Sequence, residues 1–306
     1  MKNTPQVIVL VIAYALLPLS LSGTAQDDGL IAFGTRLRPG DQIQESRRLA
    51  ASLAEPENPE WKATGDQRRT YPFPGADAEV AYRLYVPKTW DGESSLPLVM
   101  MLHGAGSNES RYLDQNDGQL LRLAEEHGYV LVSPMGFSPM GAYGTCLRLP
   151  AVFGEDAAAV EQRASACVEN AETLERSEQD VINVLEMVLH EYPIDRNSMF
   201  LIGHSMGSGG TWYLGAKYSD YWAGLAPMSG PFVEQATYPW DRVRDMPIFM
   251  TEGTGAEPSL EGSRRMRDWM MSNGFQLEYL EVDAGHGGMV PLVLPSIFEF
   301  LDRHRS

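Results

Sequence analysis

The chain alternates short apolar runs with longer segments in which apolar residues recur at helical spacing. The runs predict buried strands, and spacings of three and four residues predict helices with one buried face. The predicted strands are 98–102, 129–133, 199–202, 224–228, 247–252 and 276–282, and the predicted helices are 113–127, 177–192, 211–217, 260–273 and 291–304. This alternation is typical of an α/β fold with a mostly parallel central sheet and helices on both faces.

The segments ahead of this alternation follow a different pattern. Residues 67–73 and 80–86 are strand-like, and Pro74-Gly-Ala-Asp77 between them predicts a turn. The three together predict an N-terminal antiparallel hairpin. Residues 26–65 are polar, with a helix predicted over 41–53, and are interpreted as an N-terminal extension or linker.

One long segment, 135–170, interrupts the alternation with glycines, prolines and both cysteines of the chain. We expect it to be an excursion over the site of function. The predicted organisation is then one catalytic domain over 66–306, preceded by the extension and by a targeting segment.

Residues 1–25 have the pattern of a secretory signal peptide. Lys2 provides a small basic region, and the unbroken apolar stretch 7–17 is shorter than the roughly 20 residues that span a bilayer. Gly23 and Ala25 offer a cleavage site after Ala25. We therefore expect a secreted or periplasmic protein with no stable membrane span after cleavage. The alternative is an uncleaved N-terminal anchor.

The expected compartment and the net charge indicate which bonds and binding partners the protein can have. In an oxidising compartment Cys146 and Cys167 are expected to form a disulfide, the alternative being two free thiols. The net charge of −17 argues against binding to nucleic acid or anionic membranes. The sequence has no C-x-x-C motif or Cys/His cluster that would suggest a metal site, and no cofactor is expected.

The strongest local motif is Gly203-His-Ser205-Met-Gly207, which lies between a predicted strand and a predicted helix. This context is that of a nucleophile elbow, in which a tight turn lifts the serine hydroxyl above the sheet. The glycines are needed because a Cβ at either position would clash with the facing strand and helix. Ser205 is therefore the candidate nucleophile.

A serine hydroxyl needs a base, and His286 is the candidate among six histidines. It lies in a glycine-flanked loop after the last predicted strand, where the reactive groups of a parallel sheet gather. The other five have other expected roles. We expect His127, His190 and His304 to lie at helix ends, and His103 to order the loop after the first central strand. The ring of His204 is expected to point away from Ser205, because consecutive residues in a tight turn point apart.

The acid that orients the base is expected after a strand between the elbow and His286. Glu257 is preferred, and Glu252, at the end of the same predicted strand, is second. Asp283 is expected to shape a turn. Asp245 precedes its strand and so falls at the opposite edge of the sheet.

Two backbone N–H groups are expected to form an oxyanion hole. One belongs to Met206, the residue after the nucleophile, and the other most naturally to Ala105, in the loop after the first central strand.

The order and spacing of several motifs resemble secreted esterases of the α/β-hydrolase superfamily, such as feruloyl and acetylxylan esterases and polyhydroxybutyrate depolymerase-like proteins. The chain is also similar to catalytic domains of the prolyl oligopeptidase type. The matching segments are 82–87, 97–106, 180–184, 203–207, 226–230 and 285–287. The resemblance implies the same nucleophile, base and oxyanion hole. The chain departs from the family pattern at position 256, where these families usually have an aspartate: Ala256 occupies that position, and Glu257 follows one residue later.

Together these features predict a serine hydrolase that cleaves carboxylic esters through an acyl-enzyme on Ser205, with His286 as general base. Its expected substrate is a small-molecule or polymer-linked ester. Two alternatives stay open: a serine peptidase of the prolyl oligopeptidase type, and a catalytically silent α/β-hydrolase-fold binding protein. An acyltransferase is also compatible, since an alcohol can compete with water for the acyl-enzyme.

Overall fold

The computed structural model describes residues 39–145, 153–154, 170–256 and 259–306. These residues form one sheet of eight strands and six helices. The strands are β1 (Gly65–Pro72), β2 (Glu79–Val86), β3 (Leu96–Leu102), β4 (Val130–Pro134), β5 (Ile194–His204), β6 (Gly224–Met228), β7 (Ile248–Gly255) and β8 (Leu277–Gly285). The helices are α1 (Pro39–Ser52), α2 (Arg111–His127), α3 (Ala171–Glu191), α4 (Met206–Lys217), α5 (Ser259–Ser272) and α6 (Val290–His304).

The sheet order is β1-β2-β4-β3-β5-β6-β7-β8. Strand β2 pairs antiparallel with both β1 and β4, and the strands from β4 to β8 are parallel to one another. The predicted antiparallel hairpin and mostly parallel sheet are therefore confirmed. Because β3 to β8 are parallel, their carboxyl ends meet along one edge of the sheet.

Each face of the sheet has its own hydrophobic core. Alternate residues of the buried central strands point to opposite faces. On one face they pack with α3, α4 and α5, and on the other with α2 and α6. In β3, for example, Leu98 and Met100 belong to the first core, and Val99 and Met101 to the second. The sheet is therefore covered on both sides and can hold rigid residues at its edge.

Helix α2 differs from the amphipathic helix expected over 113–127. Residues 115–118 leave the helical conformation, and Asn116, Asp117 and Gly118 have φ near +53°, +54° and +72°. Asparagine, aspartate and glycine are the residues that tolerate this left-handed region best. The apolar spacing continues across the break, so the pattern alone did not indicate it.

The described part of the N-terminal extension lies on α3. The hydroxyl of Ser46 in α1 donates to Oδ1 of Asn183 at 2.6 Å, and Arg47 pairs with Glu186. The backbone N–H of Lys62 donates to the Glu191 carboxylate at 2.8 Å. This segment is thus held against the domain by specific polar contacts.

Several predicted features lie outside the described residues. These are the signal peptide over 1–25, Cys146 and Cys167 with their expected disulfide, and most of the excursion over 135–170. Within the part of the chain that is described, no helix is long and apolar enough to cross a membrane.

Candidate active site

Ser205 sits at the turn between β5 and α4 with φ 60° and ψ −118°. This backbone conformation is costly for a residue with a side chain, and such strain is typical of functional positions. A Cβ on Gly203 would overlap the backbone of Gly207, and one on Gly207 would overlap the carbonyl of Leu102 in β3. The expected elbow therefore has the geometry that the motif predicts.

The loop after β3 passes directly beside the nucleophile. A Cβ added to Gly104 would lie 3.4 Å from the Cβ of Ser205, and the next residue, Ala105, is exposed in a turn. The Gly106 N–H donates to the carbonyl of Pro139 at 2.8 Å, which fixes this turn. Met206 is the first residue of α4, so its N–H is among those that lack a partner within the helix. Both proposed oxyanion donors thus belong to segments that border Ser205.

His286 follows β8 and reaches the nucleophile. Its Nε2 lies 2.9 Å from Oγ of Ser205. The side chain is half-buried, and burial lowers its pKa below the ordinary value of 6.5. The imidazole is therefore neutral near pH 7, with Nε2 placed to accept the serine proton.

The other ring nitrogen of His286 faces a residue that sequence reasoning did not single out. Nδ1 lies 2.7 Å from Oγ of Ser229. Ser229 follows β6, is fully buried, and has φ 50°, while its N–H donates to the carbonyl of Thr251 in β7. The only earlier indication was that Ser229 falls within a segment shared with the resembling families.

The candidate acids are placed as follows. Glu257 lies outside the described residues. Glu252, in β7, is fully buried; its carboxylate accepts from the hydroxyl of Ser263 at 2.6 Å and from the N–H of Gly253 at 3.2 Å. Burial raises the pKa of Glu252, and hydrogen bonding from Ser229 and Ser263 acts in the opposite direction.

The structure also places Asp283, the carboxylate nearest to His286 in the sequence, and Ala256, where the resembling families usually have an aspartate. The expectation that Asp283 shapes a turn is wrong: Asp283 lies within β8, where its exposed side chain accepts a hydrogen bond from the hydroxyl of Thr254 at 3.4 Å. Ala256 is buried directly after β7, and its N–H donates to the carbonyl of Gly253 at 2.9 Å.

His204 has a role that its place in the motif did not indicate. Its Nδ1 lies 2.6 Å from the hydroxyl of Tyr112, and its Nε2 lies 2.8 Å from the backbone oxygen of His286. The two histidine rings are 4.6 Å apart. Burial lowers the pKa of His204 to about 3, so the ring is neutral and ties the loop of the base to α2.

His103 orders its loop, as expected. Its Nδ1 lies 2.8 Å from the carbonyl of Gly104, and its Nε2 lies 2.8 Å from that of Met135. Within the described ranges, no group of three or more histidine, cysteine, aspartate or glutamate side chains is arranged to hold a metal ion. The contact between His286 and Ser205 is the arrangement that nucleophilic acyl transfer requires.

The sequence of the chain matches a model of a known protein family. The family model described as "Putative esterase" matches residues 75–274. A bifunctional acetylxylan esterase/xylanase from Neocallimastix patriciarum is 26% identical over 161 residues, which are 52% of this chain and 19% of that protein. The chain thus spans about a fifth of this curated relative.

Solved structures share the fold. A thermostable esterase has a TM-score of 0.58 at 22% identity, covering 79% of this chain and 63% of that one. A feruloyl esterase module from Clostridium thermocellum, in complex with sinapinate, has a TM-score of 0.53 at 17% identity, covering 81% of this chain and 92% of that one. Both are similar in the arrangement of the sheet and helices, which is the α/β-hydrolase fold.

Proposed function

The chain belongs to the esterase family, and we propose that it is a serine hydrolase that cleaves carboxylic esters through an acyl-enzyme on Ser205. The observation that carries the proposal is the 2.9 Å contact between Nε2 of His286 and Oγ of Ser205, made on a strained elbow. A neutral base in contact with a hydroxyl at a helix N-terminus is the combination that activates a serine.

The reaction follows from these positions. His286 takes the proton of Ser205 as the serine oxygen attacks the ester carbonyl, forming a tetrahedral intermediate. Collapse of the intermediate breaks the bond to the alcohol oxygen, and His286 returns its proton to that leaving group. A water molecule then repeats the sequence on the acyl-enzyme, with His286 again as base, and releases the acid.

The negative charge of the intermediate is stabilised by the backbone. The N–H of Met206 at the start of α4 and the N–H of Ala105 in the loop beside Ser205 are the proposed donors. The dipole of α4 acts in the same direction. Removing one such donor typically raises the barrier by about 2.7–4 kcal/mol.

The proposed substrate is an ester carried by a small molecule or a plant polysaccharide. The names of the relatives, an acetylxylan esterase and a feruloyl esterase, support a polymer-linked acetyl or aromatic ester. Secretion is part of the proposal and rests on the signal-like pattern of residues 1–25.

The direct test is active-site labelling. Protein lacking residues 1–25 is treated with a fluorophosphonate, and the adduct is located by mass spectrometry while hydrolysis of p-nitrophenyl acetate is followed. We expect labelling at Ser205, no labelling in Ser205→Ala, and a loss of at least about a thousandfold in kcat in both Ser205→Ala and His286→Ala.

The matched control is Ser272→Ala, which removes an exposed serine hydroxyl at the end of α5. It should label and turn over at the wild-type rate. A folded wild-type protein that neither labels nor hydrolyses any ester would contradict the proposal and favour the binding-protein alternative.

A further inference from the structure

Among the described residues, the group in contact with Nδ1 of His286 is a hydroxyl, and this raises the question of where the charge of the imidazolium is balanced. Oγ of Ser229 occupies the side of His286 that faces away from the nucleophile, at 2.7 Å from Nδ1. In a catalytic triad this place belongs to the acid. Ser229 itself carries no charge, so it cannot supply the electrostatic part of that role alone.

We propose that Ser229 and Glu252 act together as positioning residues for His286, with the serine hydroxyl bridging the imidazole to the buried carboxylate. The proposal rests on the proposed function of Ser205 and His286 and assigns the group that completes their site. The role that an aspartate usually has in this family is thereby assigned to two residues, one directly after β6 and one in β7.

Chain geometry brings the two residues together. Met228 and Thr251 are register partners in the parallel pair β6–β7, and the N–H of Ser229 donates to the carbonyl of Thr251 at 2.9 Å. Glu252 is the residue after Thr251, so it lies level with Ser229, at the point where β6 ends beside β7. Both are fully buried. Ser229 is also held at φ 50°, a conformation that only a constrained site retains.

The proposed hydrogen positions follow from which groups around His286 can donate and which can accept. With Nε2 accepting from Ser205, the neutral ring carries its hydrogen on Nδ1 and donates it to Oγ of Ser229. Ser229 must then send its own hydrogen elsewhere. Among the described residues, the hydroxyl of Ser259 is a weak candidate acceptor because it lies 3.5 Å away. The carboxylate of Glu252 is the stronger acceptor, and hydrogen bonding from Ser229 acts to lower its pKa against the effect of burial.

The carboxylate is prepared for this role by its other partners. The hydroxyl of Ser263 donates to one oxygen at 2.6 Å, and the N–H of Gly253 donates to the other at 3.2 Å. These donors hold Glu252 in place and stabilise its charge against burial. When His286 becomes an imidazolium, Nδ1 keeps its proton, and the hydroxyl of Ser229 transmits the charge of Glu252 by its orientation.

The test compares Ser229→Ala, Glu252→Gln and Glu257→Gln in hydrolysis of p-nitrophenyl acetate, with folding checked by circular dichroism. Ser229→Ala leaves Nδ1–H without an acceptor, so we expect kcat to fall about 5- to 150-fold. Glu252→Gln should lower kcat about 10- to 1,000-fold, below the loss known for a direct triad acid. The double variant Ser229→Ala/Glu252→Gln should be no slower than the slower single variant, and Glu257→Gln should lower kcat less than Glu252→Gln does.

Two further variants separate the proposal from a structural role. Ser229→Asp/Glu252→Gln moves the carboxylate to position 229, in direct contact with His286, and should regain at least tenfold in kcat over Glu252→Gln. Glu281→Gln removes the same charge from the register partner of Glu252 on β8, where it pairs with Arg264, and should leave kcat unchanged. A loss in Glu257→Gln with full activity in Ser229→Ala and Glu252→Gln would overturn the proposal.

A second measurement does not depend on turnover. The pKa of His286, followed by NMR of the labelled imidazole, should fall by about one unit in both Ser229→Ala and Glu252→Gln. The ring of His204, whose centroid lies 4.6 Å from that of His286, should stay neutral in this range, because burial lowers its pKa to about 3. An equal His286 pKa in all three proteins would overturn the proposal, whereas a wild type that fails to label with fluorophosphonate would overturn only the proposed function.

Discussion

Removal of a single hydroxyl, that of Tyr112, tests how the loop of His286, the proposed general base, is held. The Tyr112 hydroxyl lies 2.6 Å from Nδ1 of His204, and Nε2 of His204 lies 2.8 Å from the backbone oxygen of His286. Because Nδ1 accepts from tyrosine, the hydrogen of the neutral ring is on Nε2, which donates to His286. Tyr112→Phe keeps the aromatic ring, whose centroid is 5.6 Å from that of His204, and deletes only the donor.

The size of the effect follows from burial. His204 is 4% exposed, so its Nδ1 would be left without a partner inside the protein. An unsatisfied buried group of this kind costs about 1–3 kcal/mol of stability. For a domain of this size that corresponds to a fall in Tm of about 2–10 °C.

The same change should also slow turnover. Without the tyrosine, the His204 ring can place its hydrogen on Nδ1, and the bond to His286 is then lost. A neutral hydrogen bond is worth about 0.5–1.5 kcal/mol, so we expect kcat to fall about 2- to 13-fold. Burial lowers the pKa of His204 to about 3, so the effect should be the same at every pH above about 5.

The assay combines thermal unfolding with kcat and KM for p-nitrophenyl acetate. The control is Tyr129→Phe, which removes a buried tyrosine hydroxyl that donates to Asp302 at 3.2 Å, within the core on the α6 side of the sheet. It should lower Tm without changing kcat. Wild-type Tm and kcat in Tyr112→Phe, or an equal loss of kcat in Tyr129→Phe, would refute the reasoning.

Three other outcomes are expected. Gly207→Ala should abolish activity and lower stability by more than about 3 kcal/mol, because its Cβ would overlap the carbonyl of Leu102; thermal unfolding and labelling measure both. The pH profile of kcat/KM should rise with pH to a plateau, with a midpoint below about 6.5, because the base must be neutral and burial lowers the pKa of His286. Ser46→Ala should lower stability by about 1–3 kcal/mol with kcat unchanged, because Asn183 loses a buried donor at 2.6 Å.

Each of these outcomes has a matched control. Gly40→Ala, where an added Cβ has free space, should not lower Tm, and Ser52→Ala, which removes an exposed hydroxyl from the same helix as Ser46, should cost far less than Ser46→Ala. The pH midpoint should be the same for esters with different leaving groups; a midpoint that follows the ester would show that a group other than His286 is titrating.

Strands and helices could be predicted from the sequence where the spacing of apolar residues favoured only one type of element. The strand 224–228 has the bounds that its apolar run predicted, and the elbow follows from the requirement of its glycines for a tight turn. The packing of α1 on α3 was not predictable, because the contact between Ser46 and Asn183 joins residues 137 positions apart. Local patterns carry no information about such pairings.

His204 shows a related limit. Its position beside the nucleophile indicated only that it could not be the base, since neighbours in a tight turn point apart. Its partners, Tyr112 and the backbone of His286, come from segments 92 and 82 residues away. The sheet edge brings these segments together, and only the folded structure reveals that His204 contacts the loop of His286.

The partner of His286 shows why a motif search for the acid is incomplete. Such a search looks for one carboxylate in the loop after β7. At the usual position it finds Ala256, and one residue later it finds Glu257, which lies outside the described residues. The register of β6 and β7 places a different pair, Ser229 and Glu252, level with each other on neighbouring strands, and neither residue alone has the pattern of a triad acid. A hydroxyl that bridges to a buried carboxylate meets the same two requirements, an acceptor for Nδ1–H and a fixed negative charge, with the two functions divided between strands. In the proposed arrangement, the acid function comes from residues of two neighbouring strands, β6 and β7, and not from one carboxylate in the loop after β7.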